Sequence, residues 1–328
     1  NQQRQRGSTV THYDVFNGDA DGLCALQQLR LQHPIEGAEL VTGVKRDIAL
    51  LERVSAGEGD TVTVLDVSLD KNRDALLRLL DAGATVEYFD HHYAGDIPQH
   101  PRLAARIDTS AETCTSLLVD AWLEGAHRAW AVAGAFGDNF HDAARRTAAS
   151  LGLGKEQLDV LCELGTCLNY NGYGTDLEDL FFPPRELALL MRPYVDPLDF
   201  ARDEPAYRTL REGYAEDMAK AASLQAEFEE EREALYILPD QAWTRRVSGV
   251  FGNELARKHP QRAHAILTRL EDGAFRVSIR APLERKSGAD ELCREFPTGG
   301  GRAAAAGINR LEEADYGRFV ERFRDKFD

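Results

Sequence analysis

Four stretches in the first 140 residues place acidic side chains where a run of apolar or small residues stops. They read Val15-Phe16-Asn17-Gly18-Asp19-Ala20-Asp21-Gly22, Val62-Thr63-Val64-Leu65-Asp66, Val86-Glu87-Tyr88-Phe89-Asp90-His91-His92 and Gly137-Asp138-Asn139. In the first three the apolar run reads as a buried strand; in the fourth, Trp130 to Phe136 reads as a helix leading into Gly137. Open α/β sheets set their ligand crevice at the carboxyl ends of the strands. One acidic strand end is most simply a helix cap or a surface feature. Four of them in one half of a chain point to a crevice lined with carboxylates and imidazoles, and so to a metal centre.

The order of elements supports such a sheet. Strands are expected at Val10–Phe16, Glu39–Val44, the run ending at Asp66, and the run ending at Asp90. Helices are expected at Ala20–Gln32, about Asp47–Val54, Leu69–Ala82 and Ala111–Leu123. Strands alternating with helices argue for a mostly parallel, doubly wound sheet. A passage rich in proline follows, from Pro183 and Pro184 through Pro193 and Pro197. A long acidic helix is expected from about Tyr207 to Leu235. Beyond it, strands at Leu235–Leu238, Ala263–Arg269 and Phe275–Arg280, with a helix at Gly249–His259, make a smaller α/β domain. The expected division is 9–190 for the metal-binding domain, 191–235 for a helical linker and 236–328 for a substrate-binding domain.

Composition narrows the function. The chain has 328 residues, 43% of them hydrophobic, and no window nears the ~18 apolar residues that span a bilayer. Residues 1–8 are polar and lack the apolar segment of a secretory leader, so a cytoplasmic protein with no membrane partner is expected. The five cysteines, Cys24, Cys114, Cys162, Cys167 and Cys293, include no CxxC pair. A zinc site and a disulfide framework are therefore both disfavoured. The formal charge of −16 disfavours tight nonspecific grip on long nucleic acid. From Tyr236 onward, 17 Lys and Arg face 14 Asp and Glu, so the preceding residues carry −19. An acidic first part suits a centre that needs cations, and a locally basic last part suits contact with phosphate.

Asp and His together favour Mn²⁺ or a similar hard-to-borderline cation, with Mg²⁺ or Co²⁺ as alternatives. Asp19 and Asp21 flank a strand-to-helix turn, so both carboxylates can enter one crevice, and Gly22 permits close approach. The simpler possibility for this pair, that Asp19 and Asp21 only cap the helix, stays open at this point. Carboxylates from neighbouring strand ends can hold two ions about 4 Å apart, which activate water for in-line attack on a phosphoryl group.

The succession DxDG, lone Asp, Asp-His-His and Gly-Asp resembles the four motifs of the DHH phosphoesterases, a family that includes RecJ-type exonucleases, nanoRNases and family II pyrophosphatases. Gly299-Gly300-Gly301-Arg302 with Ala303–Gly307 resembles the GGGHxxAAG signature of the DHH-associated domain, and Ser278-Ile279-Arg280 resembles the SxR strand before it. The resemblance implies that Asp19 binds one metal and Asp21 a second, that Asp66 bridges them, and that His91 and Asp138 complete the second site. It implies that His92 faces the scissile phosphate and that Asp90 orients the imidazoles. It further implies that Arg280, Arg302 and the backbone of Gly299, Gly300 and Gly301 hold substrate. Two departures stand out. Val15 replaces a His common in the family, which removes an imidazole from the first site, and Asn17 nearby is a poor ligand. Arg302 replaces His, bringing a permanent cation with a fork suited to phosphate.

Other stretches are less specific. Lys45-Arg46 suits either a phosphate or plain solvation, and His141 reads as a helix-surface residue. Tyr170 and Tyr173, in a loop at Asn169–Gly174, offer stacking surfaces for a base. The acidic run Glu227–Glu233 reads as a solvated helix face. The expectation is an α/β metal-dependent phosphodiesterase or exonuclease. Its partner is a short nucleic acid or a small nucleotide phosphoester, and a homodimer is compatible with the sequence. RecJ-like digestion of longer DNA, or a weakened enzyme that senses nucleotides, are the alternatives.

Overall fold

Five strands make the sheet of the first unit: β1 (His12–Phe16), β2 (Glu39–Val41), β3 (Thr61–Leu65), β4 (Thr85–Asp90) and β5 (Leu103–Ile107). All are parallel, in the order β2-β1-β3-β4-β5. The computed structural model describes residues 9–328. Contacts gather them into two units, residues 9–166 with 182–204 and residues 167–181 with 205–328.

The helices of the first unit are α1 (Ala20–Gln32), α2 (Arg73–Asp81), α3 (Thr115–Trp122), α4 (Arg128–Gly137) and α5 (His141–Ala148). They continue with α6 (Lys155–Gly172), whose last six residues belong to the second unit, and with α7 (Pro184–Met191) and α8 (Pro197–Asp203). The strands are covered on both faces, as parallel strands require. Tyr13 and Val15 of β1 enter an apolar cluster with Val62, Val64, Leu76 and Leu80. Asp14, one residue out of phase, is equally buried, and Arg30 of α1 binds both of its oxygens (3.0 and 2.7 Å). Strand order reverses between β1 and β3, and ligands of doubly wound sheets bind at such a switch point.

The second unit holds α9 (Pro205–Ala222), the strands β6 (Phe228–Glu229) and β7 (Glu233–Leu238), and α10 (Ala242–Lys258). It continues with β8 (Ala263–Arg269), β9 (Phe275–Arg280), α11 (Ala289–Arg294), β10 (Gly299–Gly301), β11 (Ala305–Leu311) and α12 (Tyr316–Phe327). Its mixed sheet runs β10-β11-β9-β8-β7-β6, and only β7 and β8 pair in parallel. One core joins Val247, Val250 and Phe251 of α10 to the sheet, and another joins Phe319, Phe323 and Phe327 of α12 to it.

Several local expectations change. The helix expected at 47–54 is only a 3-10 turn at Leu50–Arg53. The long helix expected to Leu235 stops at Ala222, because Ala234, Leu235, Tyr236 and Leu238 are buried in strand pairing beside β8. Tertiary burial outweighs helix propensity there. The acidic run Glu227–Glu233 is accordingly a β6–β7 hairpin and not a helix face. The residues expected as a separate linker, 191–235, divide between the two units. Among the described residues, no helix is long and apolar enough to cross a membrane.

Candidate metal centre

Asp19 and Asp21 leave the sheet just after β1. Asp19 is the N-cap of α1, where its Oδ1 accepts the Gly22 N–H at 2.9 Å. The cap and the crevice use different oxygens of the same carboxylate, since Oδ2 lies 2.6 Å from the Lys45 ammonium. The turn is tight enough that a Cβ on Gly22 would come within 2.0 Å of the Asn17 carbonyl oxygen. Asn17 is not directed at a cation. Its Oδ1 accepts the Asp19 N–H at 3.1 Å and its Nδ2 donates to the Lys45 carbonyl at 3.0 Å.

Asp21 is held by the start of α3. The Thr115 and Ser116 N–H groups donate to its two oxygens at 3.0 and 2.7 Å. The Ser116 hydroxyl donates to the Asp21 carbonyl at 2.9 Å. A carboxylate at a helix N-terminus meets both free N–H groups and the positive end of the dipole. These two N–H groups explain why α3 begins at Thr115 and not at Ala111 as expected. Neither Thr115 nor Ser116 stood out in the sequence, although small polar residues before a helix are the usual sign of such a start.

Asp66 caps the β3 strand end in a left-handed backbone conformation, φ 62°. Its N–H still pairs with the Phe89 carbonyl at 3.0 Å, so the unusual turn redirects the carboxylate while the strand stays bonded. Left-handed backbone on a non-glycine residue is tolerated where the surroundings fix it, and such residues gather at functional sites. The Thr115 hydroxyl donates to Asp66 Oδ1 at 3.2 Å.

His91 is the hub. Its Nδ1 faces the Thr113 carbonyl at 3.1 Å, which places the proton on Nδ1 and leaves Nε2 as a lone-pair donor. That Nε2 lies 3.1 Å from Asp66 Oδ1 and 3.5 Å from both Asp21 Oδ2 and Asp138 Oδ2. Two sets of side chains have ligand atoms within 4.8 Å of one another: Asp21, His91 and Asp138, and Asp66, His91 and His92. His92 Nδ1 donates to Asp90 Oδ1 at 2.6 Å, so the chemistry of this partly exposed ring falls to its Nε2 edge. Asp90 Oδ2 is buried with no hydrogen-bond partner among the described residues.

The electrostatics of the cluster call for cations. Burial, with the charges of Asp138 and Asp19, pushes Asp21 up to about 7 against the bonds from Ser116. Burial and the charges of Asp21, Asp19, Asp138 and Asp90 raise Asp66 well above the usual carboxylate range. Burial also opposes ionisation of Asp19, but the Lys45 charge and the Gly22 N–H outweigh it and hold that group at about 2. Crowded buried carboxylates cannot all ionise unless positive charge joins them. An oxygen-rich set with one imidazole nitrogen fits a divalent ion such as Mn²⁺.

The remaining expected residues lie in the second unit. Arg280 is buried, and its N–H groups are taken by Asn253 Oδ1, Ser278 Oγ, the Ile279 and Gly249 carbonyls and the Tyr173 hydroxyl. A guanidinium so engaged braces β9 against α10. Gly299, Gly300 and Gly301 pair with Ile308, Gly307 and Ala306 as β10. The Gly299 N–H donates to the Phe296 carbonyl, and a Cβ on Gly299 would lie 1.6 Å from the Cys293 carbonyl oxygen. Packing therefore demands that glycine. Arg302 sits half-buried in the turn between β10 and β11, and its N–H donates to the Ala305 carbonyl at 2.9 Å. Asn169–Gly174 is not a loop throughout: α6 runs to Gly172, and Tyr170 and Tyr173 are buried in a core, so neither is a stacking platform.

No family model matches the chain, and no curated protein matches it. Solved structures do. RecJ from Thermus thermophilus in complex with Mn²⁺ aligns over 97% of this chain at a TM-score of 0.63 and 18% identity. The chain spans about half of that protein, 52%. A DHH-domain protein described as a member of a ribosomal-protein family aligns at a TM-score of 0.62 and 12% identity, over 96% of this chain and 86% of its own. This chain has the DHH fold. A pGpG-specific phosphodiesterase from Vibrio cholerae shares it at a TM-score of 0.53 and 15% identity, over 96% of this chain and 99% of its own. In this DHH fold the Asp-His-His of β4 stands beside the acids that follow β1 and β3, at the switch point of the sheet.

Proposed function

We propose that the chain is a divalent-metal-dependent phosphodiesterase that hydrolyses short oligonucleotides or small nucleotide phosphoesters. The observation that carries this reading is His91 Nε2 facing Asp21, Asp66 and Asp138 at 3.1–3.5 Å, with its other nitrogen held by Thr113. The shared fold with Mn²⁺-bound RecJ and with a pGpG-specific phosphodiesterase supports it. The free cysteines suit a reducing, cytoplasmic setting.

Asp21, Asp66, His91 and Asp138 would hold one ion, and Asp19 with Asp66 would face a second cation. Bound there, divalent ions supply an activated water and neutralise charge on the phosphoryl group. The chain's own residues do the rest. The N–H groups of Thr115 and Ser116 fix the Asp21 carboxylate. Asp90 keeps the His92 ring with its proton on Nδ1, so Nε2 can exchange a hydrogen bond or a proton with a substrate oxygen. Arg302, a permanent cation, would hold phosphate, and Arg280 would keep the strand beside it in place.

The test is hydrolysis of end-labelled di- to decanucleotides, RNA and DNA, after chelation and return of Mn²⁺, Mg²⁺ or Co²⁺. Metal-dependent release of mononucleotides, fastest for the shortest substrates, is the expected result. Nucleotide binding with no turnover under any metal would favour a sensor instead.

A further inference from the structure

We propose that the Lys45 ammonium stands in for one divalent cation of this centre: the chain holds one tight ion at Asp21, Asp66, His91 and Asp138, and admits a second, facing Asp19, only when Lys45 is displaced. This deepens the metal-centre reading above and rests on it.

Lys45 Nζ lies 2.6 Å from Asp19 Oδ2 and 3.8 Å from Asp138 Oδ1. The other Asp138 oxygen, Oδ2, faces His91 Nε2 at 3.5 Å. Asp138 thus looks two ways, toward the imidazole with one oxygen and toward the ammonium with the other. The remaining oxygen of Asp19 is engaged in capping α1, so Oδ2 is its only oxygen turned to a cation, and Lys45 has it.

The placement of Lys45 is built into the fold. Asn17 donates to the Lys45 carbonyl while accepting the Asp19 N–H, which ties the backbones of the lysine and its carboxylate to one amide. The turn carrying Lys45 is closed by the Asp47 N–H on the Val44 carbonyl at 2.9 Å and by the Val44 N–H on Asp47 Oδ2 at 3.1 Å. On the strand side Val15 is fully buried in an apolar cluster and offers no ligand atom.

An ammonium is a compact, strongly hydrated single charge on a flexible stem. With a quarter of the side chain exposed, it can leave Asp19 without unfolding its surroundings. A divalent ion must displace it, so the second ion binds more weakly than the first. An arriving phosphate offers the ammonium another partner and lowers the cost of that displacement, which couples second-ion binding to substrate.

Mn²⁺ counting on the full chain decides this, by elemental analysis after gel filtration, calorimetric titration and electron paramagnetic resonance. The wild type should retain one ion per chain, with a second at least about tenfold weaker and no spin-coupled pair at one equivalent. Lys45→Met should retain two ions and show a coupled pair, whereas Lys45→Arg should stay at one. If Lys45→Met fails to fold by circular dichroism, Lys45→Gln serves in the same measurements. Two equally tight ions in the wild type, or a second affinity unchanged in the neutral variants, would overturn the role of Lys45 alone. No retained Mn²⁺ in any of these proteins would overturn the metal centre itself, and the two failures are therefore distinct.

Discussion

The Asp66 carboxylate meets both His91 and Thr115 while its backbone is held left-handed. Replacing it with Asn keeps shape and backbone tolerance but removes the charge. Asp66→Asn should lose at least about two to three orders of magnitude in turnover at saturating Mn²⁺, or ~3–4 kcal/mol. Circular dichroism should show the fold retained; near-normal turnover in a folded protein would contradict the assignment. His264 gives a residue-scale prediction away from the centre. Burial, then the charges of Arg262 and His259, lowers this side chain of β8 to about 3 from the ordinary 6.5. The unfolded chain takes up a proton below pH 6.5 and the folded chain does not, so this contribution is whole above pH 6.5 and shrinks as pH falls. The loss is about 1.4 kcal/mol per pH unit between roughly 6.5 and 3. Urea unfolding of wild type and His264→Leu at pH 7 and pH 5 should show the variant losing less stability; equal losses would remove His264 as the cause.

Among elements, α9 is tied to α6 and α10 by one buried carboxylate. Asp217 accepts the Tyr170 hydroxyl and the Arg246 Nε–H, the latter at 3.0 Å. Asp217→Ala leaves a partly buried guanidinium and a buried phenol without their acceptor. Such losses cost about 3–5 kcal/mol when fully buried, and less here because Arg246 is partly exposed, so about 2–4 kcal/mol is expected. Chemical denaturation followed by tyrosine fluorescence checks it; a change under about 1 kcal/mol would show that the triad is not a structural tie. Elements also show what the sequence made legible. Ala263–Arg269 and Phe275–Arg280 are strands over the expected residues, because each is an apolar run bounded by polar turns. β5 escaped notice since Leu103–Ile107 is a half-exposed edge strand with Arg106 in it. Asp19, Asp21, Asp66, Asp90, His91, His92 and Asp138 were legible because each follows or ends an apolar or small-residue run. Thr113, Thr115 and Ser116 were not, because their role depends on where α3 starts in space. The Tyr170 and Tyr173 reading failed for the same reason: burial in a core is a property of packing and leaves no local mark.

For the whole molecule, net charge bears on which substrates the proposed enzyme would take. A chain with −16 overall, whose small basic surplus lies after Tyr236, gains little from the many phosphates of a long strand. Few phosphate contacts imply a shallow salt dependence. Catalytic efficiency should therefore peak at roughly two to five nucleotides and fall only mildly with added salt. Arg302→Ala should raise KM by about 10- to 100-fold, in line with ~1.5–3 kcal/mol for a charge-assisted hydrogen bond, and Arg302→His should recover part of it. An unchanged KM would exclude Arg302 from substrate binding. Metal-dependent cleavage of short phosphodiesters is tested by the Mn²⁺-dependent turnover of a labelled dinucleotide against a labelled 40-mer, at low and high salt, by the wild type. Faster cleavage of the dinucleotide, absent without metal and little changed by salt, is the predicted result. Faster degradation of the 40-mer with steep inhibition by salt, or no cleavage of either with any divalent ion, would contradict it.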